Sequence, residues 1–474
     1  MPEPLDAYRK KRDFDRTSEP EGHSDSAAET ARFVVQEHHA RRLHWDLRLE
    51  HEGTLWSWAL PRGIPAHPDE NRLAVHTEDH PLEYLEFEGE IPKGEYGAGT
   101  MKVFDSGTFK AEKFRHNEVI ATFGGEHLRG RYALFQTREQ DWMIHRMDPP
   151  LDPGYEPMPE RLVPMLARSG GLPRDEEGWG FEVKWDGIRT LLYCDHGHIE
   201  LQGRNGTDFT ARYPEVRELA RVLGARRIIL DGEVVAFDEA GRPSFERLQS
   251  RMHLASDSAV KRRMRDIPAT YVAFDLLYLD GRSTMALAYA ERREVLEALG
   301  LEGPAWRAPA YHRGEGSALL AATKELGIEG IVAKRLDGSY EPGRRSSGWV
   351  KIKNICEQDV VIGGWAPGEG RRSGHVGALV TGLYEDGRLA YAGKVGTGFT
   401  DRTLAILERE LKPLGRDSSP FEGRAAPKGT IFVEPRLVAR VELREWTKSG
   451  TMRAPSFKGL RDDIDPQDCT REGG

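Results

Sequence analysis

A chain of 474 residues is too long for one ordinary core, so roughly two to four domains are expected. No apolar run approaches the ~20 residues a bilayer-crossing helix needs, and residues 1–28 are too polar for a signal or transit sequence. The three scattered cysteines, Cys194, Cys356 and Cys469, form no Cys-x-x-Cys pair, which excludes a zinc finger or disulfide framework and points to a reducing, cytoplasmic compartment. A net charge of −9 leaves any phosphate-binding surface to local basic segments such as Arg262-Arg263-Met264-Arg265, Arg344-Arg345 and Arg371-Arg372.

Residues 1–27 read as a flexible arm, of which Lys11-Arg12-Asp13-Phe14 could dock. A first domain is expected over 28–150, mostly β. In it Leu43, Trp45, Leu47 and Leu49 alternate with His44, Asp46, Arg48 and Glu50, a period of two that makes a strand with one apolar and one charged face. Residues 55–60 follow a Glu52-Gly53 turn as its hairpin partner. Residues 132–137 and 142–147 form a second hairpin, and glycine turns between 94 and 99 suit a small barrel or sandwich. Eleven of the 16 histidines lie before residue 150. The proline-rich stretch 151–159 reads as a linker. A second domain, 160–354, mixes strands (227–230, 272–277, 331–334) with helices (214–223, 245–254, 290–299). The third, 355–474, opens on a strand at 359–365 and carries a helix near 403–414, consistent with a compact β-barrel.

Two constellations carry chemistry. In the first domain His38 and His44, with Asp46 on the same strand face as His44, are suitable ligands for Mn²⁺ or a similar ion. Arg48 on that face could grip a phosphate through two N–H groups. His80 and Tyr84 add a general acid that titrates near neutral pH and a hydroxyl donor. In the second domain Glu182-Val-Lys184-Trp-Asp-Gly-Ile-Arg189 is followed by Gly203-Arg204-Asn205-Gly206, Asp231-Gly232-Glu233, Phe274-Asp275, Glu329-Gly-Ile-Val332-Ala-Lys334 and Lys351-Ile-Lys353. Each block alone is an ordinary turn or core fragment; the ordered set over about 170 residues makes Lys184 a candidate nucleophile for a nucleotide. Nearby cations and partial burial would keep its amine reactive. Glu233 and Glu329 suit a divalent ion, and Lys351 and Lys353 project from one strand face.

With these blocks in place, residues 160–474 resemble the ATP-dependent DNA ligases: an α+β, ATP-grasp-like nucleotidyltransferase domain followed by an OB-fold. The resemblance implies that Lys184 carries AMP and that Glu182 reads the adenine. Arg189 and Arg204 would contact ribose and phosphates, and Glu233 the ribose or a metal. Phe274 and Val332 would sandwich the base, Glu329 would hold Mg²⁺ or Mn²⁺, and Lys351 and Lys353 would grip phosphates. The stretch 453–463 resembles the family's last motif, except that Ile464 stands where a lysine often follows the final aspartate. Residues 33–50, 78–84 and 89–97 resemble the 3′-phosphoesterase domain of bacterial ligase D. That likeness implies His38, His44 and Asp46 as manganese ligands, Arg48, His80 and Tyr84 acting on the scissile phosphate, and site roles for Arg12, Asp13 and Glu19. The whole is therefore a multidomain α+β chain, expected to heal and seal DNA nicks or ends as a monomer associated with the nucleoid, with the Ku end-binding protein as partner by family analogy and no room for a polymerase module. Rival readings are an RNA ligase or capping guanylyltransferase, which share the Lys184 set, and a first domain that only binds DNA ends.

Overall fold

The computed structural model describes residues 5–21, 31–252, 254, 256–354, 356–368, 375–443, 445–447 and 449–471. The first domain is an antiparallel barrel built from β1 (Arg32–His39), β2 (Leu43–His51), β3 (Thr54–Leu60), β4 (Asn71–His76), β5 (Gly89–Ile91), β6 (Gly99–Arg115), β7 (Glu118–Gly124), β8 (Arg129–Arg138) and β9 (Asp141–Arg146). Eight strands run β1-β2-β3-β4-β9-β8-β7-β6, and β6 pairs back onto β1 to close the ring; β5 adds to the edge of β6. Closure removes the open edges that would otherwise invite pairing with another chain. Trp45, Leu47 and Leu49 of β2, with Trp58 and Leu60 of β3, fill the interior alongside Phe33, Val35, Phe123 and Trp142.

The charged face of β2 is not solvated, as period two alone would allow. A helix α1 (Asp6–Lys10) and a 3-10 turn at Leu82–Glu86 lie over it. Tyr8, Tyr84, Leu85 and Phe87 pack there on Val34 and Leu55 as a second core. Leu5 and Tyr8 are almost fully buried, worth roughly 1.5–3 kcal/mol for a leucine-sized side chain. The expected flexible arm is therefore, over residues 5–21, a strap fastened to the barrel; residues 22–30 fall outside the described set.

The stretch expected to be a loose linker is also held down. Tyr155 donates its hydroxyl to Glu70 at 3.0 Å, Arg282 meets Asp152 at 2.6 Å, and Tyr278 donates to the Glu156 carbonyl at 2.7 Å. Beside it, a hairpin turn of the second domain enters the mouth of the barrel. His196 sits edge-on to Trp45, with ring centroids 4.9 Å apart. Four charges alternate across this seam: Arg227 reaches Glu70 at 2.8 Å and Asp195 at 3.0 Å, and Arg72 reaches Glu70 at 3.2 Å. Ala225 from the second domain packs on the barrel's core cluster.

The second domain is two sheets facing each other. One has the order Leu166–Ser169, Arg345–Lys353, Gly330–Arg335, Trp179–Val183, His312–Arg313; the other is seven-stranded around Ile188–Asp195, Arg227–Ala236 and Ala269–Leu279. The strands expected at 227–230 and 272–277 are longer than their apolar runs, because both are buried on both faces. Residues expected to be helical at 214–223 form only 3-10 and α turns, whereas helices stand at Phe245–Met252 and Tyr289–Ala298. In the third domain five strands run Arg388–Val395, Val376–Glu385, Cys356–Pro367, Ile431–Leu443, Ser456–Arg461. A parallel bridge between Thr397 and Ser456 joins the two ends, and along the chain the helix Asp401–Leu411 lies between the strands Arg388–Val395 and Ile431–Leu443. That order and helix position are those of an OB-fold. Among the described residues no helix is long and apolar enough to cross a membrane.

Candidate active sites

The outer face of β1–β3 gathers the first site. β1 pairs β2 with His38 opposite His44 and Gln36 opposite Asp46, so cross-strand neighbours place His38, His44 and Asp46 with ligand atoms within 4.8 Å of one another. Both imidazoles are oriented from behind. His38 Nε2 meets the Gly97 carbonyl at 2.8 Å and His44 Nδ1 the Arg42 carbonyl at 3.0 Å. If those nitrogens carry the protons, His38 Nδ1 and His44 Nε2 present lone pairs to Asp46, at 3.5 and 3.7 Å. His38 Nδ1 is buried and has no hydrogen-bond partner. An orphaned lone pair between a second imidazole and a carboxylate fits a divalent cation. Burial would raise the Asp46 pKa, but Arg48 and the imidazoles hold it down at about 2, so the carboxylate is charged.

Arg48 is buried and fixed on Gln36 at 2.8 Å, Ser57 at 3.0 Å and Asp46 at 3.1 Å. Tyr84 donates to Glu19, and Arg12 binds Glu19 at 2.6 Å and Glu78 at 3.0 Å. The strap thus brings Arg12 and Glu19 into the site, where spacing alone could only suggest them. His80 departs from expectation. Burial, with Arg48 and Arg12 beside it, pushes its pKa well below the usual histidine range. Its Nδ1 meets the Glu78 carbonyl at 2.8 Å and its Nε2 faces Arg12 Nη2 at 3.2 Å. The side chain is a neutral imidazole that accepts from Arg12, not a group poised to titrate at pH 7. Gln36 and Ser57, which orient Arg48, carry no sequence signal except their place on the polar face of the barrel strands.

The second site is a cavity of about 500 Å³ between the two sheets, walled on one side by the OB-fold. Strand register builds its floor. Glu182 lies opposite Val332, and Val332 opposite Lys351, a row of three side chains on one face. One step along, the Lys184 amide donates to the Gly330 carbonyl at 2.9 Å, and Gly330 faces Lys353 across the strand pair. A Cβ on Gly330 would lie 2.1 Å from the Ile352 carbonyl, and one on Gly187 would lie 2.2 Å from that of Val234. Both glycines are demanded by close backbone approach. From the facing sheet come Arg189, Glu233 and Phe274. Arg189 is held bidentate by buried Asp231 at 2.5 and 2.6 Å and lies over Phe274, 4.7 Å from the ring centroid. Arg204 lines the cavity and pairs with Asp468 of the OB-fold at 2.8 Å.

Lys184 is ion-paired with Glu329, and Lys353 Nζ stands 3.7 Å from the same carboxylate. Burial opposes ionisation of Glu329, yet Lys184, Lys353 and Arg440 lower its pKa to about 2. Glu329 groups with Asp186 and Glu357, their ligand atoms within 4.8 Å. Glu329 Oε1 and Glu357 Oε2 are buried without hydrogen-bond partners, so the cluster fits a cation. Glu233, expected to hold the ribose or a metal, is not in this group; burial raises its pKa to about 7. The OB-fold contributes what spacing could not reveal. Arg440 bridges Asp359 and Asp186 at 3.1 Å each, and Asp462 meets Arg212 at 3.2 Å. Ile464, where a lysine was expected, is buried in the OB core.

The comparisons with known proteins agree with this geometry. The 3′-phosphoesterase domain of DNA ligase D matches residues 36–136, the ATP-dependent DNA ligase domain 164–353, and the ATP-dependent DNA ligase C-terminal region 372–464. A mycobacterial DNA ligase D structure complexed with ATP and MES is 41% identical and covers 66% of this chain and 98% of that one, with a TM-score of 0.50. The chain belongs to the DNA ligase D family. The multifunctional non-homologous end joining protein LigD of Mycolicibacterium smegmatis is 44% identical over 99% of this chain. That of Pseudomonas aeruginosa is 36% identical over the same share. The chain spans 61% and 62% of the length of these two relatives.

Proposed function

We propose that this ligase D-family chain heals and seals DNA ends: the barrel removes 3′-blocking phosphoesters and the Lys184 site joins the cleaned ends at the expense of ATP. Domains at 28–150, 160–354 and 355–474 divide the work. The observation that carries the reading is the row Glu182–Val332–Lys351 beside Lys184 and Glu329, on the floor of a cavity large enough for a nucleotide. A base slides between Phe274 and Val332, and Arg189 and Arg204 reach ribose and phosphates. Lys351 and Lys353 grip the phosphate tail. Lys184, released from Glu329 and having lost a proton to solvent, attacks the α-phosphorus with its neutral amine. The bond to pyrophosphate breaks, pyrophosphate leaves, and a lysyl-AMP forms as the nitrogen gives up its second proton to solvent. AMP then passes to a 5′-phosphate, and a 3′-hydroxyl displaces it.

Asp186, Glu329 and Glu357 would hold Mg²⁺ or Mn²⁺, which would supply positive charge to the reacting phosphate. In the barrel, His38, His44 and Asp46 would hold Mn²⁺, giving a Lewis acid at the scissile phosphoester. Arg48 and Arg12 add positive charge there, His80 accepts rather than donates, and Tyr84 offers a hydroxyl. The name of the relatives supports a role in end joining; Ku as partner, a monomeric state and a nucleoid-associated, cytoplasmic setting are carried into this reading from the family resemblance alone.

The test is a nicked duplex ending in a 3′-phosphate beside a 3′-hydroxyl control, with ATP, Mg²⁺ and Mn²⁺. Sealing of both is expected. Sealing of the control alone would remove the healing activity, and sealing of neither would remove the ligase.

A further inference from the structure

The basic run Lys261-Arg262-Arg263-Met264-Arg265 belongs to neither site. It lies on the helix Asp257–Asp266, which Ser256 caps by accepting from the Ala259 amide at 3.4 Å. At about 100° per residue the helix has two unlike sides. Val260, Arg263, Met264 and Ile267 share one; Val260 is buried, the others are half-buried, and Ile267 packs on the core of the second domain. Lys261, Arg262 and Arg265 share the other and are exposed. Among the described residues no carboxylate pairs with these three, whereas Arg263 on the packed side reaches Asp266 at 3.7 Å.

A second helix, Phe245–Met252, ties this face to the lysine slot. Its first amide, that of Phe245, donates to Asp186 at 3.2 Å, two residues past Lys184. Six residues on, about 9 Å along the axis at roughly 1.5 Å per residue, Arg251 donates to the Ile267 carbonyl at 3.1 Å, just beyond the end of the basic helix. Two further cations stand along the same helix. Arg247 is half-buried, and its Nε has no hydrogen-bond partner. Arg402 of the OB-fold is exposed and donates to the Ser250 carbonyl at 3.4 Å. None of these residues lines the nucleotide cavity.

We propose that the outward face of the helix Asp257–Asp266, formed by Lys261, Arg262 and Arg265, is a docking strip for the sugar-phosphate backbone of duplex DNA beside the nick, continued by Arg247 and Arg402. The inference rests on the ligase reading and assigns its DNA a surface outside the slot. A chain of net charge −9 repels phosphates at long range, so its grip on DNA depends on local cations. Lys261 and Arg265 are one turn apart, about 6 Å, which covers roughly two phosphates of one strand at about 3.4 Å per nucleotide. A protein partner would need a large apolar anchor at the centre of its contact; no large apolar side chain of this helix is exposed. Phosphate contacts need only the charges.

The experiment compares the full chain with its triple variant Lys261→Gln, Arg262→Gln, Arg265→Gln. Self-adenylylation is read with labelled ATP, and binding of a nicked duplex is titrated at several salt concentrations. The variant should take up label within about twofold of wild type, because the strip is apart from the slot. Its affinity for the nick should fall at least about tenfold at about 0.1 M salt. The slope of log K against log salt should shrink by about 2–3, near 0.9 for each lost phosphate contact. Lys261→Arg, Arg262→Lys, Arg265→Lys keeps the three charges and should restore both quantities. If the glutamine triple takes up no label, Arg262→Gln alone gives the same test with a slope change of about 0.9. Unchanged affinity and slope overturn the inference and leave the face to solvent or to a protein. A loss that the charge-keeping variant does not restore overturns it as well. Either result stands beside a wild type that takes up label and seals nicks; a wild type that does neither takes away the ligase reading instead.

Discussion

The two sites are built by opposite strategies. The barrel site draws its proposed metal ligands from two adjacent strands of one closed sheet, and a strap from the same domain covers it. Almost every polar atom around its arginines is satisfied within that domain. The lysine slot is assembled from two sheets and a separate OB-fold. It concentrates charge that protein groups only partly balance: Glu329 and Glu357 each keep a buried oxygen without a hydrogen bond, and burial with Glu329 nearby raises the Glu357 pKa to about 8. A site complete within one domain is preorganised for a single task. One that closes between domains can open again, which the proposed passage of AMP from ATP to Lys184 and on to DNA would require.

The sharpest way to break this contrast is to disable each site alone. Lys184→Ala should abolish adenylylation and sealing by more than about 10³-fold while leaving 3′-phosphate release intact. His44→Ala should do the reverse, lowering 3′-phosphate release by at least about 10²-fold, since even residues behind a metal ligand cost 10–100-fold. Sealing of a 3′-hydroxyl nick should be unchanged in His44→Ala. A quench of both activities by either variant, read on the two nicked substrates, would show that the sites are not independent.

The seam between barrel and slot gives the next effect in size. Arg227 joins Glu70 of the barrel to Asp195 of the second domain, with its side chain only 11% exposed. Arg227→Met leaves two carboxylates facing each other at the barrel mouth, beside Arg72. Removing one partner of a buried ion pair typically costs about 3–5 kcal/mol. Calorimetry should show a lower Tm, with the single unfolding transition resolving into two if this network couples the domains. An unchanged Tm would mean that the barrel and the slot are joined only through the chain.

Much of this was readable in the residues, and the limits have physical causes. Period two in β2 located His44, Asp46 and Arg48 on one face because alternation follows from strand geometry alone. It could not show that the face is covered, since that depends on a strap at residues 5–21, far from β2 in sequence. The ordered motifs around Lys184 marked many residues that line the cavity, but not Glu357 or Arg440, which line it from the OB-fold. No local spacing ties them to Lys184. Glu233 was expected to hold the ribose or a metal, because a carboxylate near a nucleotide motif suits either; only the fold groups Asp186 and Glu357 with Glu329. The enclosure of His80 was equally hidden, since it comes first from burial and then from two arginines that β2 and the strap supply.

The smallest effect concerns Glu233 and follows from its enclosure. Burial raises its pKa from 4.5 to about 7 despite Arg189 and Lys184 nearby. A carboxyl whose folded pKa is raised binds its proton more tightly in the native state. It therefore contributes stability that is fully present below pH ~4.5 and is lost as pH rises through about 7. A shift of this size corresponds to at most roughly 3 kcal/mol; the contact Glu233 keeps with the cavity brings the expected effect to about 2 kcal/mol. Glu233→Gln is neutral at every pH and should lack this component. Because Asp79 and Glu357 also titrate high, near 6 and 8, the informative quantity is the difference in unfolding free energy between variant and wild type. Measured from pH 5 to 8 without ATP or divalent ions, the variant should gain on the wild type as pH rises. A constant difference would mean that Glu233 is already ionised in the folded protein, and the slot would then hold one more charge awaiting a cation than its geometry implies.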